Sequence, residues 1–188
     1  MALTRVRGAG AEGLTLSSTA LTVANGLTLT DGDLTVASGH GINFASASGD
    51  ASGMSAELFN DYEEGSFTPR FDGSSTTGSG TYTTQTGKYI RIGNMVHITM
   101  NIGMSGHTGS GTAYLRGLPF TIGGSAEYTG TIMMNNWDID TNVLWVVLYS
   151  NNTNDYLRLY GSRDNSGWVA EGLDSVSNII GSFTYFID

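Results

Sequence analysis

Residues 89–102 read YIRIGNMVHITMNI, and two features of that stretch decide the fold class. At its centre, Gly93-Asn94 is a dipeptide that supplies the positive φ angles of a two-residue hairpin turn. On either side the residues alternate: Ile90 and Ile92 with Tyr89 and Arg91 before the turn, then Val96, Ile98, Met100 and Ile102 with Met95, His97, Thr99 and Asn101 after it. A period of two puts each set on one face of a strand, so the spacing predicts a β-hairpin. Further along, Val143 to Tyr149 is a near-continuous apolar run bounded by Asn and Ser clusters. That is the pattern of a strand buried on both faces, with Trp145 in the core. Tyr156, Arg158 and Tyr160 alternate with Leu157 and Leu159, and Asn178 to Ile187 reads as a last strand. No window carries a helical period. The expectation is an all-β, β-sandwich-like globular head of roughly eight to ten strands over residues 57–188.

The stretch before residue 57 is written differently. Residues 13–25, GLTLSSTALTVAN, are followed by 26–38, GLTLTDGDLTVAS, so that GLTL and LTV recur in the same register. Each copy pairs Leu14 with Leu16 and Leu21 with Val23, or Leu27 with Leu29 and Leu34 with Val36, on one face of two short strands. Strands so short cannot cover their own dry face, and two repeats are fewer than a self-sufficient array needs. Other copies of the chain are the expected cover, and residues 13–56 read as the β-stranded shaft and neck of a homo-oligomeric fibre. GHGINF, with Ile42 and Phe44 on one face, forms a last half-unit, and 45–56 (ASASGDASGMSA) is a small, polar linker or neck. Residues 1–12 hold the only early cations, Arg5 and Arg7. They read either as a disordered terminus or as a segment that docks onto a partner surface.

Composition narrows the function classes. Among 188 residues there are 27 glycines and only two prolines, which fits many tight turns. The net charge is −9. A nucleic-acid partner is therefore not expected, because such proteins carry a basic footprint, and the same field repels phosphates and acidic glycans. Between Arg7 and Arg70 there is no Lys or Arg, while eight acids fall there, from Glu12 to Glu64. In a side-by-side bundle those acids must point outward or bind cations. With no cysteine, a disulfide framework, a thiolate metal site and a cysteine nucleophile are all excluded. No apolar run reaches bilayer length and the start lacks the apolar centre of a secretory signal, so synthesis in a cytoplasm is expected.

Motifs that could carry chemistry read mostly as structure. Glu63 and Glu64 beside Asp61 resemble an acid/base pair, but neighbours on an extended chain point to opposite faces, and a capping or interchain hydrogen-bond role fits better. Asp138, Asp140 and Asn142 open like a calcium loop, yet Val143 and Tyr149 stand where that loop needs Gly and Glu. A turn is expected there. His40, His97 and His107 are isolated, and GSSTTGSGT (73–81) lacks the lysine and the helix of a phosphate loop and reads as flexible. No metal, no cofactor and no catalytic residue is expected. The last third is rich in aromatics interleaved with amides and arginines, a composition that suits binding surfaces because rings give rigid apolar contact and amides give direction. The candidate receptor-binding residues are Asn151, Asn152, Asn154, Tyr156, Arg158, Tyr160, Arg163 and Trp168. The loops 151–155 and 162–168 would form the contacting rim, while Tyr156, Arg158 and Tyr160 are either exposed or at a subunit interface.

Several segments resemble a known family. NDYEEGSFTPRF (60–71) resembles the opening "DYEEG-T-W/F-TP" motif of C-terminal domains of bacteriophage tail fibres and related virion proteins. The resemblance continues in GTYTTQTGKYIRIGNMVHITMNI (80–102), similar to the family's "G-Y-x-K-I-G-N-x-V" hairpin, in RGLPFTI (116–122), and in the closing GSFTYFID (181–188). Phe67 stands where the family often has Trp. The resemblance implies a homotrimer with a parallel shaft, joined to other phage tail or baseplate proteins by the N-terminal segment, where Arg5 and Arg7 lie. It also implies a head that meets a host surface glycan or outer-membrane component, and a place in the virion. The expected function is non-enzymatic host attachment. The alternatives are a purely structural virion part, such as a head fibre, decoration or trimerisation tip, and a polysaccharide-degrading tailspike.

Overall fold

A computed structural model describes residues 14–16, 21–23, 27–29, 33–38, 40–43, 58–59 and 61–188, the last without 125, 152, 175 and 176. Arg5, Arg7, Asn152, Phe44 and the neck 45–56 lie outside the described residues. No helix occurs among those described. The chain forms two compact units, divided between Ala37 and Ser38.

In the first unit, β1 (Leu14–Leu16) and β2 (Leu21–Val23) pair antiparallel, with Leu14 opposite Val23 and Leu16 opposite Leu21. The second copy of the repeat departs from the first. Residues 27–29 and 33–37 are in no strand, and Leu27, Leu29, Leu34 and Val36 are all exposed. A lone two-stranded ribbon is marginal in water, and β1 and β2 are the two strands among the described residues of this unit.

The second unit opens with a short pair, β3 (Ile42–Asn43) on β4 (Leu58–Phe59), and continues into one ten-stranded antiparallel sheet. Its strands are β5 (Glu63–Phe67), β6 (Arg70–Gly73), β7 (Gly80–Ile92), β8 (Met95–His107), β9 (Ala113–Arg116), β10 (Glu127–Asn135), β11 (Val143–Asn151), β12 (Tyr156–Arg163), β13 (Val169–Ala170) and β14 (Ser177–Phe186). The order across the sheet is β5-β7-β8-β14-β10-β11-β12-β9-β6, with β13 also on β12. The expected all-β head is present, and its two layers are halves of one curled sheet. β10 makes the corner: Glu127 to Gly130 pair with β11, and Thr131 to Asn135 pair with β14. A Cβ on Gly130 would run into the Ser182 carbonyl and the Phe183 ring, so the close approach at the bend requires glycine.

The inner faces of both halves share one core. Val96, Ile98, Ile102, Ile179, Phe183 and Tyr185 come from the first half, and Phe71, Leu115, Leu148, Leu157 and Leu159 from the second. Each fully buried Leu or Ile contributes roughly 1.5–3 kcal/mol. The hairpin β7–β8 forms as its spacing predicts, with Ile92 opposite Met95. Only Gly93 of the turn has positive φ (56°), so a glycine-first turn replaces the expected pair of positive angles.

Two apolar assignments are corrected. Tyr89 lies opposite Ile98 and Arg91 opposite Val96, both buried. Opposed residues share a face, so Tyr89 and Arg91 turn inward and Ile90 is left exposed. Phe67 and Tyr89 then lie over the glycines facing them, Gly87 and Gly65, where any Cβ would strike the ring. In β11, only the inner residues join the core, and Trp145 is exposed. The register of β11 on β12 slips between Val143 and Trp145, a bulge at Leu144 that re-aims the strand end. Residues 73–81 are tied down by main-chain bonds, among them Ser75 N–H to Ser110 O and Ser110 N–H to Thr76 O, so the loop is ordered, contrary to the flexible reading.

Candidate functional site

The outer face of the second half carries a lattice of aromatic and charged residues, set by register. Asp72 lies opposite Tyr114, Tyr114 opposite Arg158, Arg158 opposite Tyr149, and Tyr149 opposite Thr129, giving one row across β6, β9, β12, β11 and β10. The sequence builds it simply: Leu115, Leu157 and Leu159 are pulled into the core, so their alternates Tyr114, Arg116, Tyr156, Arg158 and Tyr160 must face out.

At one end of this face Tyr114 and Tyr156 stack, with centroids 4.4 Å apart and planes 19° from parallel. The Arg116 guanidinium lies 4.8 Å from the Tyr156 ring centre and is held by Asp72 (3.1 Å) and Asp155 (2.6 Å). Arg158 donates to the phenol oxygens of Tyr156 (2.9 Å) and Tyr160 (3.4 Å). Burial works against its charge, but those two phenols outweigh burial and hold the guanidinium above its usual range.

Towards the other end lies a cavity of about 270 Å³, lined chiefly by Trp145, Val147, Tyr149, Tyr160, Trp168 and Glu127. Trp145 and Trp168 are 59% and 65% exposed, an unusual state for the largest apolar side chains. Tyr149 is buried beneath them, in contact with the rings of Tyr160 and Trp168. Its hydroxyl donates to Glu127 Oε1 at 2.6 Å. Burial, and then this bond to a carboxylate, push the phenol up to about 12. The depressions on the outer face of the first half are wider and more open, and are lined mainly by Thr, Ser, Ile and Met.

Of the residues singled out from sequence, Tyr156, Arg158 and Tyr160 share this face and Trp168 joins the cavity. The two loops do not converge, since the eight residues of β12 separate them by ~23 Å at about 3.3 Å per residue. Asn151 and Asn154 serve the chain itself: the Asn154 side-chain amide donates to the Asn151 carbonyl, and Ile122 N–H donates to the Asn154 carbonyl. Arg163 Nε donates to Gly167 O and closes the loop that presents Trp168. Tyr114, Arg116, Glu127, Tyr149 and Trp145 are additions. The Tyr-Leu-Arg alternation of 114–116 signals the first two, whereas Trp145 faces out with Val147 and Tyr149 by regular alternation against the buried Leu148, an alternation that the near-continuous apolar run conceals.

Other motifs settle into local roles. Glu63 accepts from Tyr89 Oη at 2.5 Å, while Glu64 accepts from Tyr62 Oη at 3.2 Å. Asp61 pairs with Arg91 at 3.5 Å. Asp138 to Asn142 form the turn into β11, with Asn142 at φ 69°. His107 Nδ1 accepts from Gly109 N–H and Nε2 donates to Phe71 O, which assigns the tautomer. Among the described residues no group of His, Asp and Glu is arranged to hold a metal ion.

No protein-family model matches the chain, and no curated protein or solved structure matches it either.

Proposed function

We propose that this chain is an adhesion protein: a homotrimeric bacteriophage tail fibre that attaches the virion to a host surface glycan through the outer face of the second half-sheet. The observation that carries the reading is the cavity between Trp145 and Trp168, two exposed indoles beside tyrosines and a carboxylate. Flat, rigid rings match the C–H faces of sugars, and hydroxyl, carboxylate and guanidinium groups alongside supply directional hydrogen bonds. Assembly is supported by the exposed Leu27, Leu29, Leu34 and Val36 of the repeat, whose dry face lacks cover in a single chain. The outer face of the first half adds Ile90, Met133 and Ile180 as further apolar contact surface. Three modest sites on one fibre, and several fibres on one particle, bind by effective concentration without any single tight site. The N-terminal segment with Arg5 and Arg7 joins the fibre to the phage tail or baseplate. The particle is assembled in the host cytoplasm.

The test uses the full chain. Sedimentation equilibrium should give three copies per particle, and fluorescently labelled protein should decorate host cells. A monomer that ignores cells overturns the proposal, and a trimer that ignores cells points to the purely structural virion role.

A further inference from the structure

We infer that the cavity between Trp145 and Trp168 receives an alkylated ammonium group, of the trimethylammonium kind found in choline. The inference rests on reading this face as the receptor-contacting surface and names the chemistry the cavity takes. Four aromatic side chains, Trp145, Tyr149, Tyr160 and Trp168, line one space. Tyr149 makes the floor, with the Tyr160 ring 4.9 Å away at 67° and the Trp168 ring 6.2 Å away at 55°. Rings at such steep angles are not stacked face to face, so neither pair closes both of its faces on the other. Trp145 lines the same cavity without contacting the other three rings, and the gap is the cavity of about 270 Å³. The negative face of an aromatic ring attracts a cation, most strongly where the cation sheds its water at little cost. An alkylated ammonium does so. A primary ammonium or a metal ion does not, and among the described residues no group of carboxylates and imidazoles is arranged to replace the lost hydration.

The charge around the cavity points the same way. Glu127 lines the cavity and no Lys or Arg does. The Tyr149 hydroxyl occupies Glu127 Oε1, Oε2 has no hydrogen-bond partner among the described residues, and donation to a carboxylate enriches the Tyr149 ring in electron density. Arg158, bonded to the phenol oxygens of Tyr156 and of the lining residue Tyr160, and Arg163, bonded to Gly167 O, both lie outside the lining. The whole chain carries −9, which draws cations toward it.

The experiment titrates the full-length protein with choline chloride and follows tryptophan fluorescence. Trp137 is buried elsewhere in the core, so a change reports on the two exposed indoles. A saturable change is expected, with the neutral isostere 3,3-dimethylbutan-1-ol binding at least tenfold more weakly. Glu127→Gln should weaken choline several-fold, and Trp168→Leu or Trp145→Leu should remove the saturable response with the melting temperature kept. Absence of saturation, or equal binding of the isostere, overturns the inference. Phosphatidylcholine vesicles separate the sources: capture of the protein assigns a lipid head group, and choline binding without capture assigns a soluble or polymer-borne one. Protein that binds surface glycan but not choline loses this inference and keeps the adhesive reading. Protein that binds choline but no glycan keeps the ammonium site and loses that reading.

Discussion

Glu171 places a carboxylate in the core at 1% exposure. Its Oε2 accepts from Asp140 N–H at 3.0 Å, and its Oε1 has no hydrogen-bond partner among the described residues. Gly161 leaves it room, since a Cβ there would collide with Oε1. Burial pushes the Glu171 carboxyl above its ordinary value of 4.5. Between that value and its raised folded value the native state binds more protons than the unfolded chain, so stability from this group falls as pH rises and is recovered on acidification. Glu171→Gln should therefore gain stability relative to the parent at neutral pH and lose that advantage near pH 4.5 in thermal melts. A difference independent of pH would contradict this. At the residue scale the sequence was a partial guide. Tyr156, Arg158 and Tyr160 were legible because two leucines alternate with them, whereas Glu171 gives no sign of burial, lying in a stretch without strong alternation.

Elements were legible where a period of two runs on undisturbed. β8 buries Val96, Ile98, Met100 and Ile102 as its spacing predicts. β7 is readable as a strand, but its inward face is set by the partner: Val96 and Ile98 draw Arg91 and Tyr89 in, against the apolarity of Ile90 and Ile92. β11 fails for a second reason. Its apolar run reads as buried on both sides, yet the side that carries Trp145, Val147 and Tyr149 is a surface cavity, and only the alternate side, with Leu148, enters the core. The turn between β7 and β8 allows a sharp test. Gly93 holds φ 56° with nothing near an added Cβ, so Gly93→Ala should cost ~1–2 kcal/mol from backbone conformation alone. Asn94→Ala, at a residue without positive φ, should stay within about 0.5 kcal/mol. Denaturant midpoints of the two variants decide it, and an equal loss in both would contradict the glycine-first turn.

At the scale of the molecule, the repeat announced a dry face in need of cover, and in the single chain Leu27, Leu29, Leu34 and Val36 are exposed. What a sequence period could not convey is that, among the described residues, strands form in the first copy and not in the second, since pairing depends on which neighbours are present. If chains assemble through this face, Leu27→Asp combined with Leu34→Asp should reduce the sedimenting particle from three copies to one and leave the melting of the head in place. A trimer unaffected by both charges would move the interface elsewhere. The curl of the head was also illegible, because it depends on one strand, β10, changing partners at Gly130. That curl matters for function. The curl sets the second half-sheet off from the first, and its outer face, where register aligns the aromatic row of β9, β12 and β11 with the Trp145/Trp168 cavity, is the proposed binding face. The most direct measurement is an array of bacterial surface glycans probed with the labelled full-length protein and with a Trp145→Ala/Trp168→Ala variant of unchanged melting temperature. The account predicts selective glycan binding that falls at least tenfold in the variant, whereas no binding by the parent, or equal binding by both, would contradict it.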